Sequence, residues 1–369
     1  YFGHIDVPLF TAALFIALAG LVTMYSYTTE NLFFERQVIW ILISVSAFFI
    51  ASFIDFRFLR RTSVVVLLFG LTILALMAIF IFGDVVKGAQ SRFDFGGFAV
   101  QPAEYAKLVI IAILAKYFSR RHIEIAHIRH IIVSGAYALM FFILILLQPD
   151  FGSAIIIFLI WFGMVLVSGI SKKHLLAVLI GSVLAVGGMW AFVFQDYQKD
   201  RILTFIHPLA DVQGAGYNAY QSTIAVGSGQ VLGKGVGYGT QSKLQFLPEF
   251  QTDFIFASFA EEWGFIGVLF LFGLFGVLIW RLLVMAQLGA TSFETLFALG
   301  VAILFISHFT VHVGMNIGLL PVTGVTLPFM SYGGSHLLTE FVALGMLVGM
   351  HRYSRTVHKD DTQREFMGV

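Results

Sequence analysis

The chain has 369 residues, of which 59% are hydrophobic and 12% are charged, and its formal net charge is +1. Because soluble domains carry about a quarter charged residues, this composition excludes an ordinary soluble protein. The near-zero net charge gives no support to nucleic-acid binding. The absence of cysteine excludes disulfide bonds and thiolate-bound metals.

Apolar stretches long enough to cross a bilayer make up most of the chain, since about 20 helical residues span a hydrocarbon core of ~30 Å. The pattern predicts an all-α polytopic membrane protein with ten transmembrane helices and a large extracytoplasmic loop between helices 7 and 8. This transmembrane domain covers residues 1–351, and a charged tail covers 352–369. The predicted spans are 7–27, 38–54, 63–83, 103–118, 131–147, 153–170, 175–194, 254–280, 295–317 and 331–351.

The distribution of Lys and Arg predicts the orientation of these spans. With a cytoplasmic N-terminus, fourteen of the 22 Lys and Arg residues fall on the inner side, seven fall outside, and Lys107 lies within a span. Cytoplasmic loops carry the excess of positive charge in membrane proteins. Both termini are therefore predicted to be cytoplasmic, with loops 84–102 and 195–253 together on the outer face.

Charged residues inside the predicted spans are costly in hydrocarbon and need partners. Glu104 and Lys107 lie three residues apart in the fourth span, so on a helix they share one face. They form either a buried ion pair that fixes helix packing or the polar wall of an outward-facing cavity. Glu340 in the tenth span must also find a partner inside the bundle.

Other polar residues allow more than one interpretation. Glu261 and Glu262 fall about two turns into the eighth span, where at least one needs an interior partner. His308 and His312 have the i,i+4 spacing of a metal site, but no further ligand is evident, and a satisfied interior pair is favoured. Asp150 precedes a span and is predicted to cap that helix.

The long loop 195–253 is unusual for its length and is therefore a candidate functional segment. Residues 217–226 predict a short amphipathic helix, and six glycines with Lys234 follow between 227 and 239. The N–H groups of such a loop can line an anion site, although glycine-rich outer loops are also common without this role. Asp253 ends the loop, either as a helix cap or as a functional carboxylate.

Four separated motifs resemble the SEDS family of peptidoglycan glycosyltransferases, whose members include RodA and FtsW. They cover nearly the whole chain in the order of the family, and the GTQSKLQFLPE stretch, 239–249, is more similar to the RodA branch. His336 and Glu340 depart from the family pattern. The motifs are KGAQSRFDFG, 87–96, with QPAEYAK, 101–107; QPDFGSA, 148–154; GAGYNAYQSTIAVGSGQVLGKG, 214–235, with LPEFQTDFIFASFAEEWG, 247–264; and GLLPVTGVTLPFMSYGGS, 318–335.

The resemblance implies inverting transfer of disaccharide units from undecaprenyl-pyrophosphate-linked lipid II on the outer face of the bacterial cytoplasmic membrane. It implies Asp253 as the essential acid and a class B penicillin-binding protein as the transpeptidase partner. Glycosyl transfer needs a base for the attacking hydroxyl and cations for the departing pyrophosphate. The predicted substrate-binding residues are Arg92, Glu104, Lys107, Arg201, Gln221, Lys234 and Ser331.

A bound Mg²⁺ or Mn²⁺ could bridge the pyrophosphate oxygens, although the sequence contains no dense carboxylate cluster that establishes a metal. The alternative function is a flippase that transports the lipid-linked precursor. A flippase should carry matched polar features toward the inner face, whereas here the polar groups gather outside. A scaffold that only holds a partner leaves the outer acids and bases unexplained.

Overall fold

The computed structural model describes residues 5–25, 32–86, 89–94, 99–120, 128–192, 194, 196–207, 216–244 and 246–367. Thirteen α-helices account for most of these residues. They are α1 (Val7–Tyr25), α2 (Leu32–Phe53), α3 (Thr62–Phe82), α4 (Pro102–Ser119), α5 (Ile128–Leu146), α6 (Phe151–Val167), α7 (Lys172–Phe192), α8 (Asp196–Ile206), α9 (Tyr217–Ser228), α10 (Thr240–Lys243), α11 (Ile255–Gln287), α12 (Ser292–Asn316) and α13 (Gly334–Met367).

Each predicted span overlaps one helix, and the short helices α8, α9 and α10 fall in the predicted large loop. Among the residues that the structure describes, seven helices are long and apolar enough to cross a membrane by length and composition, namely α1, α2, α3, α5, α7, α11 and α12. Helix α6 is apolar but shorter. The all-helical polytopic fold is confirmed, and the count of ten crossings stays a prediction.

The structure differs from the predicted pattern at two places. Loop 84–102 contains an antiparallel three-stranded sheet of β1 (Asp84–Val86), β2 (Ala89–Asp94) and β3 (Ala99–Val100), in the order β1-β2-β3. These strands have two to six residues, too few to show a clear alternation in the sequence. Helix α13 continues past residue 351 as far as Met367. The predicted span ended at 351 because hydropathy marks where a helix leaves the apolar layer, not where the helix itself ends.

Helix α12 lies at the centre of the bundle, where it packs against α4, α6 and α11. It is the most buried of the candidate spans, with 72% of its apolar window covered by protein. Helix α7 lies at the periphery, and none of its residues is buried. Polar side chains on α12 therefore face other helices, which is where intramembrane polar groups can be satisfied.

Polar contacts gather at the two ends of the bundle. At one end Arg281 pairs with Asp6 at 2.6 Å, and Arg60 pairs with Glu294. At the other end the α12–α13 connection, residues 317–333, and the first turn of α13 meet the two predicted outer loops. There Ser335 Oγ donates to the carbonyl of Ala99 at 2.6 Å, and the N–H of Tyr332 donates to the carbonyl of Gln251 at 2.8 Å. Loops 84–102 and 195–253 thus lie at the same end.

Helix α11 is interrupted at Gly264, whose φ of 62° and ψ of −165° are compatible only with glycine. A Cβ at this position would lie 2.2 Å from the backbone nitrogen of Gly233. Past the break, the N–H groups of Phe265 and Ile266 donate to the carbonyls of Gln230 and Val231, at 2.9 and 3.1 Å. The break therefore lets the preceding loop dock against the helix backbone.

We expect Gly264→Ala to destabilise the protein by about 3 kcal/mol or more, because it adds both backbone strain and a clash with a backbone atom. The matched control is Gly273→Ala in the same helix, where nothing lies within 4 Å of an added Cβ. The control should stay within about 1 kcal/mol of the parent protein. Thermal unfolding in detergent measures both, and equal melting temperatures would contradict the assigned break.

The orientation prediction can be tested because the chain has no cysteine. Tyr238, in the loop after α9, is 72% exposed, and Ser63 at the start of α3 is exposed at the opposite end. In intact cells an impermeant thiol reagent should label Tyr238→Cys and leave Ser63→Cys unlabelled until the membrane is permeabilised. The reverse labelling pattern would invert the predicted topology.

Candidate active site

Glu104 and Lys107 form a buried ion pair on the first turns of α4. Lys107 Nζ lies 2.6 Å from Glu104 Oε1, and the two residues are only 2% and 6% exposed. Their i,i+3 spacing brings them to one face of the helix, as the sequence predicts. The predicted pairing is therefore confirmed, while a role in binding substrate stays a prediction.

Three further side chains extend this pair into a network between α4, α12 and α13. Lys107 Nζ also lies 3.3 Å from His308 Nε2. His336 connects the two carboxylates, with Nδ1 3.0 Å from Glu104 Oε2 and Nε2 2.9 Å from Glu340 Oε1. The two residues that depart from the family pattern, His336 and Glu340, thus provide partners for each other and for Glu104.

The α12–α13 connection passes this network without helical or strand structure. Several of its backbone polar groups are bound by side chains, three from the neighbouring helices and one, Ser331, from the connection itself. The contacts are His312 Nδ1 to the carbonyl of Val325 at 2.7 Å, His308 Nδ1 to the carbonyl of Thr326 at 3.1 Å, the N–H of Leu327 to Ser331 Oγ at 2.8 Å, and the N–H of Phe329 to Glu340 Oε2 at 2.7 Å. These bonds agree with the interior interpretation of His308, whose ring nitrogens both have partners. His312 is also buried, but its Nε2 has no hydrogen-bond partner among the described residues.

Asp253 lies half-buried at the other side of the same connection. A Cβ on Gly324, which has a φ of 75°, would lie 3.5 Å from Asp253 Oδ2. Thr326 contacts the charged network and lies two residues after Gly324. Their Cα atoms are therefore at most about 7 Å apart. One short segment therefore connects Asp253 with Glu104 and Lys107.

The helix after Asp253 begins at Ile255, and its N-cap residue is Phe254 rather than Asp253. The carbonyl of Asp253 accepts a hydrogen bond from Asn316 Nδ2 at 3.0 Å. The sequence interpretation did not include Asn316, although a buried asparagine in the last turn of an apolar span was a usable signal. Asp253 therefore lies one residue before the N-cap position, and the structure does not make it the N-cap of α11.

Ser331, predicted to bind substrate, is completely buried. Its hydroxyl donates to the carbonyl of Thr252 at 2.8 Å and accepts the N–H of Leu327 at 2.8 Å. These contacts hold the residue before Asp253 against the α12–α13 connection. In this conformation Ser331 supports the position of Asp253 and has no surface for a substrate contact.

Lys234 lies in the glycine loop, residues 229–241, and its Nζ is 2.7 Å from Glu261 Oε1. The same carboxylate accepts from Thr240 Oγ1 and from the N–H of Gln241, each at 3.1 Å. Glu262 Oε1 accepts the N–H of Gly237 at 2.6 Å. These donors are directed to α11, so at these positions the loop does not offer the open anion site that its composition suggests.

The remaining predicted site residues lie on separate elements at the same end of the bundle. Arg92 is half-buried in β2, where it pairs in register with Asp84. Arg201 lies on the exposed part of α8, and Gln221 lies half-buried on α9, beside Ser222, which contacts Asn316.

Asp150 acts as the predicted helix cap. Its Oδ1 accepts the N–H of Ser153 at 3.0 Å at the start of α6. Its Oδ2 accepts from Gln101 Nε2 at 2.8 Å, which ties α6 to the N-terminus of α4. The cap prediction is confirmed, and Asp150 belongs to the framework of the site.

A divalent cation finds no obvious ligand set among the described residues, where no group of three His, Asp or Glu side chains has the spacing of a metal site. Glu104 and Glu340 share His336 as a partner, which lies between them. The side chains described here thus do not fit a resident Mg²⁺ or Mn²⁺, and no chemical step is assigned to one.

Residues 5–356 match the sequence model of the cell cycle protein family that covers FtsW, RodA and SpoVE. The chain belongs to this FtsW/RodA/SpoVE family. It is 36% identical over 294 residues to the peptidoglycan glycosyltransferase MrdB of Escherichia coli K12, which covers 79% of each chain. It is 34% identical over 361 residues to stage V sporulation protein E of Bacillus subtilis 168, covering 95% of this chain and 98% of that one.

Solved structures agree with this family membership. A chain of a peptidoglycan synthase complex has a TM-score of 0.81 and 30% identity, covering 95% of this SEDS protein and 98% of that chain. RodA of Thermus thermophilus has a TM-score of 0.71 and 29% identity, covering 94% and 96%. The fold is thus that of a multi-pass SEDS membrane protein.

We expect Lys107→Met to destabilise the SEDS protein by about 3 kcal/mol, the lower part of the range for breaking a buried pair, because Glu104 keeps His336 as a partner. The double variant Glu104→Gln, Lys107→Met should recover part of the loss, since it removes the uncompensated charge. Thermal unfolding measures both.

The matched control is Arg57→Gln, which breaks the exposed Asp55–Arg57 pair, with side-chain exposures of 33% and 48%. Exposed pairs contribute less than about 1 kcal/mol, so this variant should unfold near the parent temperature. An unchanged melting temperature for Lys107→Met would show that the buried pair does not stabilise the bundle.

Proposed function

We propose that this SEDS protein is a peptidoglycan glycosyltransferase that polymerises lipid II, with Asp253 as its general base. The observation that carries the proposal is the position of Asp253. Its half-buried carboxylate lies against the α12–α13 connection at Gly324, two residues before Thr326, whose carbonyl contacts His308 of the Glu104–Lys107 network. Peptidoglycan glycosyltransferases among its relatives, and its similarity to a chain of a peptidoglycan synthase complex, support the same reaction class.

In the proposed step Asp253 accepts the proton of the attacking sugar hydroxyl. The hydroxyl oxygen then bonds to the anomeric carbon of the second sugar as the bond to undecaprenyl pyrophosphate breaks, with inversion at that carbon. The leaving group takes the bonding electron pair and its added negative charge needs a nearby cation. The site must therefore combine a carboxylate base with positive charge at the membrane surface.

The candidate cations are two lysines and two arginines. Lys107 and Lys234 each have an acidic partner, and Lys107 is almost completely buried. Arg92 is half-buried and Arg201 is exposed at the same end of the bundle. We infer that the two arginines contact the pyrophosphate, since guanidinium groups suit bidentate phosphate contacts, while Lys107 and Lys234 shape the site.

The elongation role and the partner belong to the same proposal. The GTQSKLQFLPE stretch is similar to the RodA branch, and the similarity to a chain of a synthase complex supports a class B penicillin-binding protein as transpeptidase partner. We place the reaction on the outer face of the cytoplasmic membrane, with both termini inside. The orientation rests on the distribution of Lys and Arg.

Asp253→Asn separates the base role from a structural role. An amide keeps the size and much of the hydrogen-bonding capacity of the carboxylate, but it cannot take up the hydroxyl proton. We expect polymerisation of lipid II to fall by at least ~100-fold, while melting temperature and binding to the transpeptidase stay near those of the parent. Glycan chains are measured on gels with purified protein, with and without the partner.

The matched control is Asp94→Asn, which makes the same acid-to-amide change at an exposed residue of β2 on the same end. It should polymerise at the parental rate. Near-normal polymerisation by Asp253→Asn would remove Asp253 as the base. If the parent makes no glycan but moves lipid II across vesicle membranes, the protein is a flippase instead.

A further inference from the structure

The first turn of α11 receives its cap from another helix. Its N-cap residue is Phe254, which has no side-chain acceptor for the free N–H groups of a helix N-terminus. The N–H of Ala257, a completely buried residue, instead donates to Asn316 Oδ1 at 3.1 Å. Asn316, at the end of α12, therefore performs the capping role that the sequence suggested for Asp253.

The amino group of the same side chain binds the backbone of Asp253. Asn316 Nδ2 donates to the carbonyl of Asp253 at 3.0 Å and to the carbonyl of His312 at 2.8 Å. Carbonyl oxygens only accept and the N–H of Ala257 only donates, so a flipped amide would oppose like groups at all three contacts. The buried amide thus has one orientation that satisfies its surroundings.

We propose that Asn316 is the positioning residue of Asp253. It fixes the Asp253 peptide against the end of α12 and, through Ala257, fixes the first turn of the helix that follows. The carbonyl of Thr252, one residue earlier, is held by Ser331 Oγ at 2.8 Å. The backbone is thus held on both sides of the Cα of Asp253, which sets the direction of its carboxylate toward Gly324.

This inference rests on the proposed function, in which Asp253 is the base. A positioned base must lie within hydrogen-bond reach of the hydroxyl, and a displacement of about 1 Å can cost on the order of 100-fold in rate. Asn316 does not need to touch the substrate. Its loss should consequently change the rate of the chemical step and leave substrate affinity largely intact.

The test compares Asn316→Ala and Asn316→Asp in purified protein with lipid II. Asn316→Asp keeps the size and an acceptor for Ala257, but replaces the two N–H bonds donated to the carbonyls of Asp253 and His312 by one O–H bond at most. We expect kcat to fall by about 10- to 100-fold in both, with KM for lipid II within about twofold of the parent. If Asn316→Ala does not fold, Asn316→Asp decides, since it changes the packing less and cannot reproduce the donors to both carbonyls.

The matched control is Ser222→Ala. Ser222 Oγ donates to the backbone carbonyl of Asn316 at 2.9 Å and makes a longer contact of 3.4 Å with Asn316 Oδ1. This variant therefore removes buried contacts to the same residue while the bonds from Asn316 to Asp253 and Ala257 remain. It should lower the melting temperature and keep kcat within about twofold after correction for the folded fraction.

Three outcomes are distinguishable when Asp253→Asn is measured beside these variants. The positioning role is supported if the Asn316 variants and Asp253→Asn lose kcat while Ser222→Ala does not. A folded Asn316 variant with parental kcat overturns it, as does a loss that only follows the folded fraction in the way that Ser222→Ala does. If Asp253→Asn itself polymerises normally, the base assignment fails, and the positioning role fails with it.

Discussion

The central constraint in this structure is the need to satisfy the largely buried backbone of the α12–α13 connection. The segment is neither helix nor strand, so its N–H and C=O groups have no regular partners. Buried backbone polar groups without regular partners are costly unless side chains or water satisfy them. Here side chains of α12 and α13, namely His312, His308 and Glu340, do so together with Ser331 from the connection itself.

This requirement accounts for the polar residues in otherwise apolar helices. His308 and Glu340 each bind a backbone group of the connection on one side and a charged side chain of the network on the other. The Glu104–Lys107 pair is thus coupled to the same segment that lies against Asp253. Such a network is stable only when its members are all paired, which makes the position of the connection well defined.

The glycine loop is held in a similar way, by polar groups of a neighbouring helix. Its N–H groups turn toward the first part of α11, where Glu261 and Glu262 accept them, and the break at Gly264 exposes backbone donors to the loop. Two irregular segments are therefore anchored by acids and polar groups of membrane helices. Asp253 lies just before α11, where the α12–α13 connection holds the preceding backbone through Ser331 and Tyr332.

The sequence by itself determined the features that depend on short separations along the chain. Hydropathy located the helices, the i,i+3 spacing paired Glu104 with Lys107, and the position of Asp150 before a helix predicted its cap. Each follows from helix geometry and is local. The motifs also identified the family, because they occur together and in order.

The tertiary structure alone decided which distant residues meet. Asn316 and Asp253 are separated by 63 positions, and His336 and Glu104 by 232. No periodicity in the sequence specifies such pairs, since they arise only when the helices pack around α12. For this reason the partner of Lys234, the buried role of Ser331 and the capping of α11 by Asn316 could be read only from the folded chain.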